Sequence, residues 1–333
     1  MKRKPTIALA LGGGGARGLA HLGVLRAFED AGIRPDLIVG SSAGALAGAA
    51  FAANADISDT LKCAQEVFGC GQPDLRGIRR FIRYGKDNGE ENHFLDRFLR
   101  SCGKEIFVSY TMFRKAVMSE KDLHESVAAF VPDINIEQTT IPLIVSAVDL
   151  ISGQAVTLRK GPLVQAVMAS CAVPGFMPPI HWNGMELIDS GAVASIPVDM
   201  VRSAGADIVI GVDVSTCLCR PPQLHDGIDI MGRTVEIMTA YLNECNARQC
   251  DLLIAPDVKR FIWTDLHCYA EIIAEGRKAA APICEKLVQG VRDGNEVLRH
   301  EGVSLSDPRS KQTEPEQISD LTQSPSREQA RAC

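Results

Sequence analysis

The chain has 333 residues, of which 46% are hydrophobic, and its formal net charge is −6. This length suits one large α/β domain or two small ones, and the negative charge argues against a nucleic-acid partner. No apolar run approaches the length of a transmembrane helix, and an early run of glycines breaks the pattern of a secretion signal. Eleven cysteines without a C-x-x-C pair are typical of small buried residues in a reducing compartment. We therefore expect a cytoplasmic globular protein.

A glycine-rich loop follows the first predicted strand. Residues 6–11 are apolar and predict the strand, and residues 19–31 have helical spacing. The loop between them satisfies G-x-G-x-x-G, with glycines at Gly13, Gly15 and Gly18. One interpretation is a dinucleotide-binding loop, but that fold expects an acidic residue at the end of the second strand. We favour an oxyanion hole, because consecutive glycines let backbone N–H groups converge on one point.

The second strand runs directly into a G-x-S-x-G pentapeptide. Residues 36–39 are typical of a strand, and residues 43–53 form an Ala-rich run that predicts a helix. The pentapeptide between them is Gly40–Gly44, with Ser42 at its centre. A serine at such a corner is strained and exposed, its neighbours must be small, and the helix N-terminus favours negative charge. The alternative is a simple turn that caps a helix.

The rest of the chain alternates strand and helix patterns. The predicted strands are 142–148, 155–158, 180–182, 185–188, 207–214 and 252–255, and the predicted helices are 94–102, 163–171, 231–246 and 269–291. Residues 75–84 are basic and amphipathic, which predicts either a surface helix or a segment that touches a membrane. The alternation predicts a mainly parallel, helix-covered sheet. Residues 304–333 are polar and predict a disordered tail.

A serine nucleophile needs a group that accepts its proton. Asp189 ends a predicted hairpin within a run of Ser, Gly and Ala, so it is a candidate base, although it could equally cap a turn. A triad of Ser42 and Asp189 with His225 or His267 fits the order of α/β-hydrolases. Only one strand precedes that of Ser42, however, which disfavours that fold. Cysteines near 217 and 268 lack the second ligand pair that a metal site needs.

Three motifs together resemble those of the patatin-like phospholipases. They are Gly13–Gly18, Gly40–Gly44 and Asp189–Gly191, and they are accompanied by similar stretches at 21–25, 169–175 and 205–210. The likeness runs from about residue 6 to about residue 290. Within the family, the chain is similar to small bacterial members related to the catalytic domain of neuropathy target esterase.

The resemblance implies a three-layer α/β/α domain at residues 1–303, followed by the polar tail at 304–333. It also implies a Ser42–Asp189 dyad that works without histidine, metal or cofactor. The implied oxyanion hole is the loop with Gly13, Gly14, Gly15, Arg17 and Gly18, in which Arg17 anchors the backbone, and the elbow glycines are Gly40 and Gly44. The implied reaction is hydrolysis of a phospholipid, lysophospholipid or other lipid ester through an acyl-serine, with a peripheral membrane contact as one expectation.

One departure from the family pattern follows the candidate base. Ser190 stands where the family usually has glycine. If the position needed a positive φ, serine would be strained there; alternatively, its hydroxyl could donate to Asp189 and make it less basic. Ser195 also stands where relatives often carry asparagine. Two alternatives to hydrolysis therefore stay open: an acyltransferase that uses the same acyl-serine, and an impaired homologue with a regulatory role.

Overall fold

A computed structural model describes residues 5–69, 116–215, 218, 224 and 227–293. The predicted segments 75–84 and 94–102 and the tail at 304–333 lie outside these residues. The strands are β1 Ile7–Leu11, β2 Leu37–Ser41, β3 Leu143–Asp149, β4 Ala155–Leu158, β5 Ile180–Trp182, β6 Met185–Asp189, β7 Ile208–Val212 and β8 Leu252–Ile254. The helices are α1 Ala20–Asp30, α2 Ala43–Asn54, α3 Ile57–Phe68, α4 Glu120–Ala128, α5 Leu163–Ser170, α6 Val198–Ser203, α7 Gly227–Ala247 and α8 Tyr269–Asp293.

The strands form one mixed sheet in the order β5-β6-β3-β2-β1-β7-β8, and β4 also pairs with β3. Strands β3, β2, β1, β7 and β8 are parallel to one another, whereas β4, β5 and β6 join the sheet in antiparallel pairs. The predicted fold class, α/β with a mainly parallel central sheet, is confirmed. The predicted hairpin around Asn183 and Gly184 is also present, and both residues have positive φ angles, as a type I′ turn requires.

Helices cover both faces of the sheet, as alternate residues of β1 illustrate. Leu9 and Leu11 belong to the larger apolar core, which also contains buried residues of α1, α2 and α8. Ala8 and Ala10 point to a smaller core on the other face, where they meet Val198 of α6. This period-two alternation gives the predicted three layers, with the sheet between two helical layers.

The strand register brings the three motifs together at one edge of the sheet. The glycine loop follows β1 and the G-x-S-x-G corner follows β2, which are parallel neighbours with Leu11 paired to Gly40. Ser41 pairs with Ser146 of β3, and Asp189 of β6 pairs with the next residue of β3, Ala147. The residue after Ser41 therefore stands at the level of Asp189, with β3 between their strands.

Candidate active site

Ser42 occupies a strained corner between β2 and α2. Its φ is 53° and its ψ is −122°, a region that residues other than glycine rarely adopt. The neighbouring glycines are required by space. A Cβ on Gly44 would lie 2.2 Å from the carbonyl oxygen of Leu11, and one on Gly40 would lie 2.5 Å from the Cα of Ala45. The corner thus presents a serine hydroxyl at the N-terminus of a buried helix.

The backbone of the corner is held by a residue to which sequence reasoning assigns no role. The N–H of Ser42 donates to the hydroxyl of Ser170 over 2.8 Å. Ser170 is the last residue of α5 and is fully buried. Its only signal in the sequence is its place in the stretch 169–175, which resembles the family pattern without revealing this contact.

Asp189 contacts Ser42 from the end of β6 and is 7% exposed. Burial raises the pKa of its carboxyl to about 6, against the opposing effect of hydrogen bonds from the side chain of Ser42 and the N–H of Gly191. The bond from Gly191 is 2.7 Å long. Asp189 therefore caps a turn and also accepts a hydrogen bond from the serine, and its role as a base stays a prediction. A carboxylate with this pKa is largely ionised at pH 7 and is more basic than an exposed one.

The backbone N–H groups of Gly14 and Gly15 have no acceptor among the described residues. The N–H of Gly13, by contrast, donates to the carbonyl of Ser195 over 3.0 Å, and that of Ala16 donates to Trp263 over 2.7 Å. Gly13 is therefore not available as a donor to a bound molecule. Its lack of a side chain leaves room, since a Cβ there would lie 3.2 Å from the Cβ of Ser42.

Arg17 and Gly18 support the loop from behind. Arg17 is buried, and its guanidinium donates to the carbonyls of Val214 over 3.0 Å and Phe261 over 3.4 Å. Burial lowers the pKa of Arg17 to about 10, so the side chain remains charged at pH 7. Gly18 permits close packing, because a Cβ there would lie 2.3 Å from the Cβ of Ala43. The Arg17 side chain donates to these carbonyls and not to Ser42, and both positions fix where the loop lies.

A buried histidine adds a third support. Nε2 of His21 donates to the carbonyl of Gly12 over 2.7 Å. Burial lowers the pKa of His21 to about 4, against the opposing effect of this hydrogen bond, so the ring is neutral at pH 7. The carboxylate of Asp189 receives hydrogen bonds from Ser42 and Gly191 and, among the described residues, from no histidine. His225 lies outside the described residues.

Neither of the two consequences expected of Ser190 is found in the structure. Its φ is not positive, so serine is not strained there. Its hydroxyl lies 2.6 Å from that of Ser41 on β2, and the hydrogen bonds that lower the pKa of Asp189 come from other residues. The departure from glycine therefore adds a hydrogen bond between the two elements that carry the serine and the carboxylate, and neither physical reason for impairment remains.

The described ranges contain neither a cluster of metal ligands nor a membrane-spanning helix. Residues 5–69, 116–215 and 227–293 bring no three His, Cys, Asp or Glu side chains together as metal ligands, and Cys217 and Cys219 lie outside them. No helix in the same ranges is long and apolar enough to cross a bilayer. The cytoplasmic location stays a prediction.

Comparison with known proteins decides the family. The sequence profile of the patatin-like phospholipases matches residues 9–202, more than half of the chain. The chain belongs to the patatin-like phospholipase family. An uncharacterized NTE family protein of Mycobacterium tuberculosis is 30% identical to this patatin-like chain over 213 residues, which are 63% of this chain and 49% of that protein. Human patatin-like phospholipase domain-containing protein 6 is 30% identical over 213 residues, 63% of this chain and 13% of that protein.

The chain thus matches about half the length of the mycobacterial relative. Among solved structures, VipD from Legionella pneumophila has a TM-score of 0.46 and 14% identity, covering 85% of this chain and 67% of that chain. Human GIVD cytosolic phospholipase A2 has a TM-score of 0.39 and 12% identity, covering 86% of this chain and 60% of that chain. Family membership by sequence makes hydrolysis of acyl esters the expected class of reaction.

Proposed function

We propose that this patatin-like protein is a serine acyl-ester hydrolase in which Ser42 is the nucleophile and Asp189 is the base. The observation that carries the proposal is the contact between a serine at a strained corner and a buried carboxylate whose pKa is raised to about 6. A hydroxyl is a weak nucleophile until a neighbouring base takes its proton. A base with a pKa near the working pH combines ionisation with proton affinity.

The reaction proceeds in two halves through one covalent intermediate. Asp189 accepts the hydroxyl proton as Ser42 Oγ forms a bond to the ester carbonyl carbon. When the tetrahedral intermediate collapses, the carbon–oxygen bond to the leaving alcohol breaks and Asp189 returns the proton to that oxygen. Asp189 then removes a proton from water, which attacks the acyl-serine. Breakdown of the second intermediate releases the fatty acid and reprotonates Ser42.

The developing oxyanion is assigned to the N–H groups of Gly14 and Gly15. These N–H groups have no acceptor among the described residues, and the loop backbone is fixed by Arg17 and His21. Donors that are fixed before the reaction stabilise the transition state without the cost of reorganising. The N-terminus of α2 adds a favourable dipole at the same place.

The proposed substrates are lipid acyl esters, with phospholipids and lysophospholipids as the first candidates. Support comes from the family to which the chain belongs. A panel of lysophospholipids, diacyl phospholipids and short-chain p-nitrophenyl esters would rank the classes. Adding an alcohol or thiol acceptor would separate hydrolysis from acyl transfer, because a transferase would form a new ester or thioester.

The direct test is labelling with a fluorophosphonate probe followed by peptide mapping. We expect the label on Ser42, and we expect Ser42→Ala to lose both labelling and ester hydrolysis while it keeps the melting temperature of the parent within a few degrees. Ser146→Ala is a matched control, because Ser146 is a buried serine of β3 beside Ser41. Unchanged hydrolysis in folded Ser42→Ala would refute the proposal.

A further inference from the structure

Helix α7 has its polar residues inside and its apolar residues outside. Its buried side chains include Asp229, Asn243 and Asn246. Ten large apolar side chains are exposed among the described residues, and seven of them belong to this helix: Ile230, Met231, Val235, Ile237, Met238, Tyr241 and Leu242. A surface helix normally shows the reverse arrangement. This arrangement indicates that the outer face of α7 is covered by a partner.

The outer face also carries no charge along its length. Between Ile230 and Cys245, each exposed residue is apolar, threonine or cysteine. The charged residues of the helix are buried or half-buried: Asp229 is buried, Arg233 pairs with Glu236 over 3.0 Å, and Glu244, whose side chain is 33% exposed, pairs with Arg248. Positions 231, 234, 238, 241 and 245 alternate in steps of three and four, the spacing by which two helices pack along a shared seam.

The size of the face matches one half of a protein–protein interface. The exposed fractions of the seven residues add up to about four whole residues, which at roughly 150–200 Å² each amounts to about 600–800 Å². A stable interface of standard size buries about 800 Å² on each partner. Contiguous apolar patches on monomeric proteins are usually smaller than this.

A lipid surface fits the face less well than a protein does. Helices that lie on membranes usually carry lysine or arginine beside the apolar face, whereas the first exposed cation here is Arg248, just beyond the end of α7. The helix also connects β7 to the parallel strand β8. It must therefore run from the edge that carries Ser42 to the opposite edge, so a bilayer against its whole length would not face the candidate active site.

We propose that the outer face of α7 binds the same face of a second copy of this chain, with the two helices antiparallel and the two-fold axis near Met238. In this register Met231 lies opposite Cys245 of the partner, and Met238 meets its own copy. An antiparallel pair separates the two copies of Arg248, which a parallel pair would bring together. It also aligns the helix dipoles favourably.

The first test is the oligomeric state of the full chain by sedimentation velocity over a range of concentrations. We expect a dimer, and we expect Met238→Asp to weaken it about 30-fold or more in Kd, because one substitution alters both sides of the interface centre. Ile151→Asp is the matched control, because Ile151 is 78% exposed and lies in the turn after β3, outside this face. The control should keep the dimer of the parent.

The second test fixes the arrangement by cross-linking. Met238→Cys should form a disulfide with its own copy under mild oxidation, because residues at the two-fold axis come within disulfide distance. The native Cys245 should not, because its two copies would lie about 21 Å apart along antiparallel helices. Peptide mapping distinguishes these disulfides from those of the other cysteines.

Several results would overturn the proposal. They are a chain that remains monomeric at all concentrations, a dimer that Met238→Asp leaves unchanged, and a Cys245–Cys245 disulfide in the parent protein. Co-sedimentation of a monomeric parent with neutral phospholipid vesicles, lost in Met238→Asp, would assign the face to lipid instead. Thermal unfolding of each variant shows that a lost dimer is not a lost fold.

Discussion

Helices α2 and α7 are both rich in apolar residues, yet they meet opposite surroundings. The residues of α2 are buried on nearly all sides, against the sheet and the neighbouring helices. The large apolar residues of α7 face outward, and Asp229, Asn243 and Asn246 are buried. Apolar composition therefore predicts that a helix is covered but does not predict what covers it. Helix α2 is covered by its own chain, and we propose that α7 is covered by a second copy.

The two helices also begin differently. Helix α2 follows the strained Ser42, and its second residue, Gly44, touches the backbone of Leu11. Helix α7 begins at Gly227, where a Cβ would meet nothing within 4 Å. The tight start of α2 holds the Ser42 hydroxyl in place, whereas the start of α7 leaves room for a side chain at Gly227.

The largest expected effect comes from adding one methyl group at each helix start. Gly44→Ala should destabilise the protein by about 3 kcal/mol or more, because its Cβ would overlap the backbone of Leu11. Gly227→Ala should be neutral or stabilise by up to about 0.5 kcal/mol, because alanine favours helix. Chemical denaturation measures both variants. Equal changes in stability in the two variants would contradict the difference between the two helix starts.

The second prediction concerns the buried carboxylate beside α2. Asp189→Asn should lower ester hydrolysis by about 10³-fold, because the general base is lost. It should also raise the free energy of unfolding at pH 7 by about 2–3 kcal/mol, because the fold no longer holds a buried charge whose pKa is raised to about 6. Steady-state kinetics measure the loss of hydrolysis, and denaturation at pH 7 measures the gain in stability.

The increase in the free energy of unfolding that Asp189→Asn brings should grow as the pH rises. The pKa of Asp189 lies above its ordinary value in the folded protein, so the cost of its charge appears as pH rises from about 4 to about 6 and is constant above that. His21, with its pKa lowered to about 4, contributes the opposite trend, because the fold prefers the neutral ring. Asp189→Asn should therefore become more stable between pH 4 and pH 6.5. A variant that loses stability over that range would contradict the assignment for His21, and a difference from the parent that does not grow with pH would contradict the assignment for Asp189.

The third prediction concerns the acceptor behind Ser42. Ser170→Ala leaves the N–H of Ser42 without its 2.8 Å partner, so we expect a loss of about 1–2 kcal/mol in stability and about a tenfold loss in kcat. Ser146→Ala is the control, because the hydroxyl of Ser146 is buried without a hydrogen-bond partner and its removal should be neutral or stabilising. Matching losses in the two variants would show that Ser170 does not position the corner.

The smallest effect is expected at the departure from the family pattern. Ser190→Gly removes the hydroxyl that lies 2.6 Å from Ser41, at a cost of about 1 kcal/mol in stability. Hydrolysis should stay within about threefold of the parent, because Asp189 does not depend on this hydroxyl. An increase of tenfold or more would mean that Ser190 does restrain catalysis after all.

The sequence predicts most of the sheet because the relevant signals are local. The run before Gly40, the Asn183-Gly184 turn and the glycine loop each determine their own geometry. The pairing of Ser170 with Ser42 and of His21 with Gly12 could not be predicted, because both depend on the tertiary packing of separate elements. The same holds for Ser190, whose partner lies on another strand. It also holds for the outward face of α7, because helical spacing shows which residues share a face but not whether that face points to the core or to solvent.

The rate at which a fluorophosphonate labels Ser42, measured against pH in the parent and in Asp189→Asn, tests the dyad most directly. In the parent we expect the rate to rise about tenfold per pH unit below pH 6 and to level off above it, because Asp189 must be ionised to accept the proton. In Asp189→Asn we expect a rate at least about 100-fold lower at pH 7, without this inflection. Equal rates in the two proteins would show that Asp189 does not activate Ser42.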